Sequence, residues 1–289
     1  MLKKIFKNIG LRFTKKERIK VILGLALNAL LLAKWRAYKL FHGIHQPVVH
    51  YYTVCWNEEK MLPFMFQHYH TMVSQYFIYD NESTDSSQQI VKTHPNAQVI
   101  PFVTDGFNDE IQNTIKNECW KASRGKADYV IVCDLDEFFY LPDVEKFWNQ
   151  VAENAISLPL PKGYDMCSSE FPKYSAAQSL VDQVKTGRYS KKYSKCIFFD
   201  PYKIVDINYE PGAHFCHPTG IVRSIEYPLY SVLHYHNLGA DYVIDRARKY
   251  RLRMSRENIE KGYAKEYMVE EEIKNNITQM MHDVQQVIE

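Results

Sequence analysis

Between residues 48 and 133 the sequence changes repeatedly between strand-like and helix-like segments, and this alternation constrains the fold more than any other feature. Short apolar runs rich in β-branched and aromatic residues are typical of strands, whereas apolar residues at every third or fourth position are typical of helices. The predicted strands are 48–56, 75–80, 97–102 and 128–133, and the predicted helices are 59–73, 83–94 and 108–123. Strands joined through helices form parallel sheets with right-handed crossovers. The sequence therefore predicts an α/β fold with a mostly parallel sheet flanked by helices.

Two residues mark the starts of predicted helices. Pro63 falls near the first turn of helix 59–73, where its missing N–H has no helical partner to lose. Ser83 stands at the start of helix 83–94 and is predicted to be its N-cap. Both predictions depend on local sequence alone.

Acidic or amide side chains follow every one of the predicted strands. They are Asn57 and Glu58, Asp80 and Asn81, Asp105, and Asp134, Asp136 and Glu137. In VIVCDLDEFFY, residues 130–140, an apolar run suited to a buried strand stops at three carboxylates. Ligands of open parallel sheets bind beyond the carboxyl ends of the strands. We therefore expect a functional site at this edge of the sheet.

The chain lacks two common glycine-rich phosphate-binding motifs. No GxGxxG follows the first strand, and no GxxxxGK[ST] occurs anywhere. A phosphate site without such amides needs cations, and a divalent metal held by carboxylates supplies them. Mg²⁺ and Mn²⁺ take oxygen ligands and bridge protein carboxylates to phosphates. Asp134 and Asp136, in an Asp-x-Asp at a strand end, are therefore candidate metal ligands.

The residues around these strand ends resemble a known family. TVCWNEEKMLPFMFQHYHTMVSQYFIYDNESTD (53–85) and QNTIKNECWKASRGKADYVIVCDLDEFF (112–139) are similar to the family 2-type glycosyltransferases, in the branch whose motifs run NE, HY, YDN-x-S-x-D and D-x-DEF. The similarity is good over about residues 48–140 and looser to about residue 265. It implies a GT-A fold, in which a Rossmann-like sheet binds a nucleotide sugar and a metal ion holds the pyrophosphate.

The resemblance also implies roles for individual residues. It assigns nucleotide-sugar binding to Thr53, Asn57, Glu58, Asp80, Asn81, Gln112, Asn117 and Asp134. Asp134 and Asp136 would hold the Mn²⁺ or Mg²⁺ ion, with Asp136 the more direct ligand. Asp85 would support the loop after the second strand. Plainer alternatives are an ordinary first-turn helix residue for Asp85, a solvated helix face for Gln112 and Asn117, and simple capping of the next element for Asp134 and Asp136.

The second half of the chain contains further candidate ligands on segments predicted to be short strands and loops. His234 and His236 are two residues apart on a predicted strand, so both side chains point to one face. In the resembling enzymes a late histidine returns to the cleft as a metal ligand, which makes His214, His234 and His236 candidates. A buried, hydrogen-bonded histidine is the alternative for any one of them. Residues 190–204 are predicted to form a strand pair.

Basic residues of the second half are candidates for binding the donor. Lys195, in YSKCIFF, is a candidate for contact with the diphosphate. Arg253 lies in an R-x-S-x-EN stretch that is similar to the family pattern. A long helix predicted from about 240 to 263 carries Arg246, Arg248, Arg251, Arg253 and Arg256. These arginines either contact diphosphate or an anionic acceptor, or form a solvated basic face.

The reaction that the resemblance implies is inverting transfer of a hexose from a nucleotide-diphosphate donor to an acceptor hydroxyl. The metal would stabilise the leaving diphosphate as negative charge grows on it. Inversion needs a base within hydrogen-bond reach of the hydroxyl. Family 2 enzymes usually supply an acid from a later ED-type motif, and this chain has no clear copy of it. The candidates for the base are Glu170, Glu210 and His214.

The amino-terminal segment differs in charge from the rest of the chain. Residues 1–45 contain 11 Lys and Arg and one acid, Glu17, whereas the remainder contains 25 basic and 33 acidic residues. The apolar run 21–33 is flanked by cations and is shorter than the roughly 20 residues that span a bilayer. We expect a helix lying on an anionic membrane surface, and a helix packed on the body or on a partner subunit is the alternative. The acidic body disfavours nucleic-acid binding.

The chain is predicted to have four parts. They are a basic and apolar helical arm (1–46), a nucleotide-sugar-binding half (47–145), an irregular acceptor-binding half of the same catalytic domain (146–265) and a C-terminal helix (266–289). The last part has apolar residues at helical spacing: Ile273, Ile277, Met280, Met281 and Val284. This spacing predicts packing on the body or on another subunit of an oligomer.

Cysteine usage and one sequon indicate the compartment. The six cysteines are scattered without a CxxC pair, which is typical of a reducing compartment. The sequon Asn81-Glu82-Ser83 falls in the expected cleft, where a glycan would block the site. We expect a cytoplasmic protein at the inner face of the cell membrane that acts on a glycan or lipid-linked acceptor in bacterial surface polysaccharide or lipopolysaccharide synthesis.

Two other functions are alternatives to this interpretation. One is a membrane-attached binding protein with a degenerate transferase fold, whose carboxylates would be idle. The other is a DxD metal phosphohydrolase. Enzymes of that class place their aspartates after the first strand, whereas the pair here follows the fourth, so the pattern favours the transferase.

Overall fold

The computed structural model of the chain describes residues 14–224, 226–263 and 270–289. Helices and strands alternate along the first half, and strands dominate much of the second. The helices are α1 (Lys15–Phe41), α2 (Leu62–Tyr69), α3 (Ser87–Thr93), α4 (Asp109–Glu118), α5 (Val144–Glu153), α6 (Leu180–Gln183), α7 (Ala240–Leu252), α8 (Arg256–Lys261) and α9 (Glu270–His282). The strands are β1 (Val49–Cys55), β2 (Gln75–Asp80), β3 (Ala97–Pro101), β4 (Tyr129–Val132), β5 (Glu137–Tyr140), β6 (Leu160–Ser168), β7 (Thr186–Tyr189), β8 (Phe198–Phe199), β9 (Ile204–Asp206), β10 (Thr219–Gly220), β11 (Glu226–Leu238) and β12 (Gln285–Gln286).

The first sheet has the strand order β3-β2-β1-β4-β8. β1 pairs in parallel with β2 and β4, β2 pairs in parallel with β3, and β8 runs antiparallel to β4. Helices α2, α3 and α4 lie in the connections between the parallel strands. The carboxyl ends of four strands therefore meet at one edge, and the predicted α/β fold with a mostly parallel sheet is confirmed.

Helix boundaries in this half differ from the predictions. Pro63 lies in the first turn of α2 as expected, but the helix starts later than predicted. α3 starts at Ser87, so the prediction of Ser83 as its N-cap was wrong. The Ser83 hydroxyl instead accepts a hydrogen bond from the N–H of Asn57 at 2.9 Å. The polar residues before α3 therefore form a loop that is tied to the end of β1.

The second sheet has the strand order β12-β7-β6-β11-β5. β11 pairs in parallel with β6 and antiparallel with β5. Because β5 follows β4 along the chain, the turn that carries Asp134 and Asp136 connects the two sheets. The strand pair predicted for 190–204 was wrong, because β8 joins the first sheet and β9 pairs with β10.

One apolar core joins the two sheets. Its fully buried members include Tyr51, Ile131, Phe138, Val232 and Tyr235. Phe139 of β5 stacks on Phe198 of β8, with ring centroids 5.4 Å apart. Burial of such aromatic and branched side chains is the main favourable term in folding. The turn between the sheets is therefore held on both sides by packed strands.

Helix α1 packs one face on the body. Its first turn is closed by a capping box between Thr14 and Glu17. The Asn28 amide donates to the carbonyl of Tyr202 at 3.0 Å, and the Trp35 indole N–H donates to a carboxylate oxygen 2.9 Å away on the body. Asn28, which interrupts the apolar run, therefore anchors the helix. This face agrees with the alternative in which the segment packs on the body.

The opposite face of α1 is apolar and exposed. Ile19, Leu23, Leu27 and Leu30 have relative exposures of 48%, 64%, 57% and 65%, and their spacing of three or four residues puts them on one side. Across the described ranges, no helix has the length and hydropathy needed to cross a membrane. Residues 1–13 of the predicted arm lie outside the described residues.

The C-terminal helices differ from the prediction of one long helix over 240–263, which was wrong. The chain forms α7 and α8 instead, and the Ser255 hydroxyl caps α8 by accepting the N–H of Asn258 at 3.1 Å. Ile277 of α9 is buried in a cluster with Val243 and Ala247 of α7. The tail thus packs on the body, as one of the two alternatives expected. Residues 264–269 and the side chain of Ile273 lie outside the described part of the chain.

Candidate active site

A cavity of about 560 Å³ lies beside the turn that joins the two sheets. The first sheet contributes Val54, the second contributes Asn237, and α7 contributes Ala247 to its wall. Residues of the predicted site that line it are Glu58, Gln112, Asp134, Asp136, Lys195, His214, His234 and His236. The site expected at the carboxyl edge of the strands therefore coincides with a cavity.

Asp134 is the first carboxylate after β4 and lies between two lysines. Its Oδ1 is 2.5 Å from Nζ of Lys116, and its Oδ2 is 3.5 Å from Nζ of Lys195. Lys195 is almost completely buried and also pairs with Glu137. Burial alone would raise the pKa of Asp134, but the two lysines hold that pKa below its ordinary value. The Asp134 side chain is therefore ionised and already paired with cations.

Asp136, the second carboxylate, is buried and faces three nitrogen groups. Nη1 of Arg246 is 2.7 Å from its Oδ2, and Nδ1 of His236 is 3.7 Å from the same oxygen. Nε2 of His234 is 3.9 Å from its Oδ1. Burial alone would raise the pKa of Asp136, but Arg246 and the two imidazoles hold that pKa well below its ordinary value. Asp136 is therefore an ionised carboxylate in the wall of the cavity.

Strand β11 places His234 and His236 on one face, as expected. Their rings are stacked with centroids 5.6 Å apart. Asp165 is the register partner of His234 on β6, and its Oδ1 is 3.0 Å from Nδ1 of His234. A carboxylate at Nδ1 fixes the orientation of an imidazole ring and leaves Nε2 for another partner. Tyr193 stacks on His234 with centroids 3.8 Å apart, so the ring is held from its face as well.

Asp136, His234 and His236 form a group that fits a divalent metal ion. The ligand atoms that they offer lie within 4.8 Å of one another. One carboxylate and two imidazoles suit a first-row transition ion better than Mg²⁺, which prefers oxygen ligands throughout. Asp134 and His214, also predicted as ligands, are not members of this group.

Arg246 of α7 links Asp136 to Glu58; the sequence named it among five arginines that contact diphosphate or an anionic acceptor or form a solvated face, and did not predict these two carboxylate partners. Its Nη2 is 2.9 Å from Oε1 of Glu58. Burial raises the pKa of Glu58 to about 7, although Arg246 opposes that shift. Val243 and Ala247 share the buried side of α7. An arginine at helical spacing among apolar residues is the signal that identifies such a position in a sequence.

Asn57 and Asp80 hold the loop after β2 and are not among the described residues that line the cavity. The Asn57 side-chain oxygen accepts the N–H groups of Thr84 and Asp85 at 2.7 and 3.2 Å. The Asp80 Oδ2 accepts the N–H of Ser83 at 3.1 Å. Asn57 has a φ of 54°, in the left-handed region that asparagine tolerates better than most residues. These contacts fix the shape of the loop beside the cavity.

Two other predicted residues make contacts within the protein framework. The Thr53 hydroxyl donates to the carbonyl of Val54 at 3.3 Å. Asn117 pairs with the backbone of Tyr209, donating from Nδ2 to its carbonyl at 3.1 Å and accepting its N–H at 2.7 Å. Asn117 therefore holds the segment that leads to His214. Asp105, expected at the same sheet edge, is exposed.

Arg253 lies behind an aromatic residue of the cavity wall. Its guanidinium stands over the Trp56 ring, 4.5 Å from the centroid, and Trp56 lines the cavity. Arg253 also donates from Nη2 to the carbonyl of Asn81 at 2.7 Å. The side chains of Arg253, directly after α7, and Trp56 thus connect the end of that helix with the loops that follow β1 and β2.

Of the three candidate bases, His214 lines the cavity. Glu170 is exposed, and Glu210 is exposed and pairs with Nε2 of His217 at 2.7 Å. Nδ1 of His214 is buried and has no hydrogen-bond partner among the described residues. Burial, together with Lys195, lowers the pKa of His214 to about 3. The ring is therefore neutral, with an unused nitrogen.

Residues 52–226 match the sequence profile of glycosyl transferase family 2. No functionally curated protein matches the chain. Among solved structures, Staphylococcus aureus TarS 1-349 is 13% identical, with a TM-score of 0.39, and the match covers 71% of this chain and 63% of that one. Our chain therefore spans a little under two thirds of that relative.

Two further structures are similar. Glucosyl-3-phosphoglycerate synthase from Mycobacterium tuberculosis, in complex with phosphoglyceric acid, is 16% identical with a TM-score of 0.26, over 45% of this chain and 47% of that one. HddC from Yersinia pseudotuberculosis is 12% identical with a TM-score of 0.36, over 65% of this chain and 93% of that one. The family profile, which covers more than half of the 289 residues, decides the assignment. Together with the parallel sheet and its helices, it shows that the chain belongs to glycosyl transferase family 2 and has a fold of the GT-A type.

Proposed function

We propose that this protein is a metal-dependent glycosyltransferase that transfers a hexose, with inversion, from a nucleotide-diphosphate sugar to an acceptor hydroxyl. The family implies a nucleotide-sugar donor and an acceptor. The observation that carries the metal dependence is the convergence of Asp136, His234 and His236 at the D-x-D turn.

Donor binding is proposed for the residues around the D-x-D turn. Asp136, His234 and His236 would hold Mn²⁺ or Mg²⁺, and the bound ion would offset the negative charge that grows on the leaving diphosphate. Lys195 lies at the cavity wall within reach of Asp134 and adds a fixed positive charge there. The mixed nitrogen and oxygen ligands favour Mn²⁺ over Mg²⁺ in this proposal.

The nucleoside is proposed to bind on the side of the first sheet. Trp56, Glu58 and Gln112 line the cavity there, and the Trp56 ring offers a flat surface for a base. Residues 47–145 would thus bind the nucleoside of the donor, and residues 146–265 would bind the acceptor and contribute His234, His236 and Lys195 to the donor site.

His214 is proposed to be the base for the acceptor hydroxyl. The position of His214 in the cavity wall supports this role, since a base has to lie within reach of the proton that it takes. Burial lowers the pKa of His214 most, and Lys195 and Lys192 lower it further. Negative charge from a bound diphosphate would offset both lysines and raise the pKa of the imidazole. The base would therefore become stronger when donor is present.

The exposed face of α1 is proposed to bind the inner face of the cell membrane. Ile19, Leu23 and Leu30 are exposed on that face, and Lys16 and Lys34 are exposed near its two ends. Apolar side chains between lysines suit a surface with anionic headgroups. A membrane position would bring the site near a glycan or lipid-linked acceptor of bacterial surface polysaccharide or lipopolysaccharide synthesis.

A thermal-shift experiment with nucleotide diphosphates and nucleotide sugars, each with Mn²⁺, Mg²⁺ or a chelator, tests the donor proposal. A ligand that binds only the folded state raises Tm, and the rise grows with the ratio of the ligand concentration to its Kd. We expect a metal-dependent rise in Tm with one nucleotide family. No rise with any nucleotide would favour the degenerate binding protein. Metal-dependent hydrolysis of a phosphomonoester would favour the phosphohydrolase.

A further inference from the structure

Arg246 makes contacts that a metal ion at the proposed site would also make. Its Nη1 is 2.7 Å from Oδ2 of Asp136 and 3.2 Å from Nδ1 of His236. Two members of the three-residue metal group therefore already bind one cation, and that cation belongs to the chain itself.

The contact with His236 has a chemical consequence. A neutral imidazole has one nitrogen with a lone pair, and a guanidinium has only donors, so Nδ1 of His236 accepts the hydrogen bond from Arg246. A metal ion at Nδ1 would need that same lone pair. Arg246 in this position and an ion at Nδ1 therefore exclude each other.

We propose that Arg246 is an internal competitor of the metal ion: it occupies Asp136 and His236 when donor is absent and has to turn away when the ion binds. This inference rests on the proposed metal site. It makes Arg246 a positioning residue, since it acts on the ligands of the ion and determines when they become free.

Glu58 gives the displaced guanidinium a fixed anchor. Nη2 of Arg246 is 2.9 Å from Oε1 of Glu58. The guanidinium contacts His236 through its other terminal nitrogen, Nη1. Nε of Arg246 is buried and has no hydrogen-bond partner among the described residues, so the side chain has an unused donor. An anion in the cavity can satisfy that donor. The diphosphate of the proposed donor is such an anion, and arginine binds phosphate oxygens well.

Metal and diphosphate should therefore bind cooperatively. The ion alone has to displace Arg246 from two partners, whereas with diphosphate present the displaced side chain gains a new anionic partner. Coupling of this kind is reciprocal, so diphosphate should raise the affinity for metal by the same factor as metal raises the affinity for diphosphate. A site with this property stays largely free of metal until donor arrives.

The test is an EPR titration of Mn²⁺ into the full chain without nucleotide. For Arg246→Gln we expect Mn²⁺ to bind about tenfold tighter or more than in the wild type, because a positive charge and a competing donor are removed from the ligands. Lys249→Gln is the matched control. Lys249 is a cation of the same helix, but it is exposed, pairs with Asp245 at 2.7 Å and is not among the described residues that line the cavity, so its removal should change the affinity by about twofold at most.

The same variants are then titrated with Mn²⁺ in the presence of a nucleoside diphosphate. The gain in Mn²⁺ affinity caused by the nucleotide should be large in the wild type and small in Arg246→Gln. A residue that only stabilises the fold would behave in the opposite way, since its loss would loosen the site and weaken Mn²⁺ binding. If Arg246→Gln does not fold, Arg246→Lys serves instead, because an ammonium lacks the planar fork and should compete less well.

The outcomes separate this inference from the proposed function. Unchanged or weaker Mn²⁺ binding by folded Arg246→Gln, with a wild type that binds Mn²⁺ and nucleotide, would overturn the competition and leave the metal site standing. A wild type and variants that bind no Mn²⁺, with or without nucleotide, would overturn both. Tighter binding confined to Arg246→Gln supports the competition.

Discussion

Asp134 and Asp136 are separated by one residue but meet different groups. Both carboxylates line the cavity, as does Leu135 between them. Asp134 contacts Lys116 and Lys195, whereas Asp136 contacts Arg246 and lies beside two imidazoles. The two aspartates are therefore expected to differ in function, with Asp136 the residue on which metal binding depends.

His214→Ala should lower kcat by about a hundredfold or more and leave the KM for donor almost unchanged. The proposed role is proton transfer from the acceptor, and loss of a general base usually has an effect of at least that size. Initial rates over a range of donor concentrations give both parameters. His217→Ala is the control, since His217 is exposed and pairs with Glu210 on the same segment. Equal kcat in His214→Ala and the wild type would reject His214 as the base.

The free energy of unfolding should fall as the pH is lowered from about 6.5 to about 4, in part because of His50. Burial lowers the pKa of His50 to about 4, and its Nδ1 is 2.9 Å from the Ser123 hydroxyl oxygen. An unfolded histidine has a pKa of about 6.5, so in this range the unfolded chain binds a proton that the native chain does not. The contribution of neutral His50 to the free energy of unfolding is complete above about pH 6.5 and is lost as the pH falls towards 4.

Urea unfolding of the wild type and His50→Gln at several pH values measures this effect. The fall in unfolding free energy between about pH 6.5 and 4 should be smaller in His50→Gln, by up to about 3 kcal/mol. Substitution can lower stability at every pH, so the comparison concerns the slope and not the absolute value. The same slope in both proteins would show that His50 does not titrate as described.

At the scale of elements, a row of ionisable side chains crosses the second sheet. Arg188, Asp165, His234 and Glu137 are register partners on β7, β6, β11 and β5. The sequence predicted that His234 and His236 share a face, because that follows from the period of a strand. It did not identify Asp165, because the pairing of β6 with β11 joins residues 69 positions apart. Local patterns do not encode such a register.

The helix boundaries also depend on contacts that local sequence patterns do not encode. Ser83 resembles an N-cap in the sequence, but its hydroxyl accepts a hydrogen bond from the N–H of Asn57, and α3 starts at Ser87. The single helix predicted over 240–263 is interrupted before Ser255, which then caps α8. Ser83 accepts an N–H, as an N-cap does, but a contact outside the local pattern decides which N–H it accepts.

Leu23→Glu should weaken binding of the full chain to anionic vesicles by about tenfold or more. Leu23 is 64% exposed on the outer face of α1, and burying a leucine side chain in an apolar layer contributes about 1.5–3 kcal/mol. Cosedimentation with phosphatidylglycerol vesicles measures the bound fraction. Ile259→Glu is the matched control, because Ile259 is 63% exposed on α8. Equal binding by Leu23→Glu and the wild type would remove α1 from the proposed membrane contact.

At the scale of the whole molecule, the cavity is built from parts that are far apart in the chain. The alternation of strands and helices and the carboxylates after β4 were predictable, because both are local patterns. The contacts of Arg246 were not, because Asp136 lies 110 positions away from it in the chain. Asn57 and Asp80 were predicted at the correct edge, and the structure shows them holding a loop there.

The charge of the molecule is divided between a basic amino-terminal segment and an acidic body. The basic arm, with 11 Lys and Arg in residues 1–45, precedes a body with an excess of acids. Helix α1 is fixed to this body by Asn28, Trp35 and Lys39. Nζ of Lys39 is 2.6 Å from Oδ2 of Asp128. A membrane contact through the outer face of α1 would therefore hold the catalytic body itself near the surface.

The most direct test of metal-dependent transfer is the release of nucleoside diphosphate from a panel of nucleotide sugars, with Mn²⁺ or with a chelator, for the wild type and Asp136→Asn. Asp143→Asn, at the N-cap of α5, is the control because asparagine also caps helices. We expect release by the wild type and Asp143→Asn with Mn²⁺ only, and a loss of about a hundredfold or more in Asp136→Asn at a similar Tm. Release that persists in the chelator, or an Asp136→Asn variant as active as the wild type, would contradict the account.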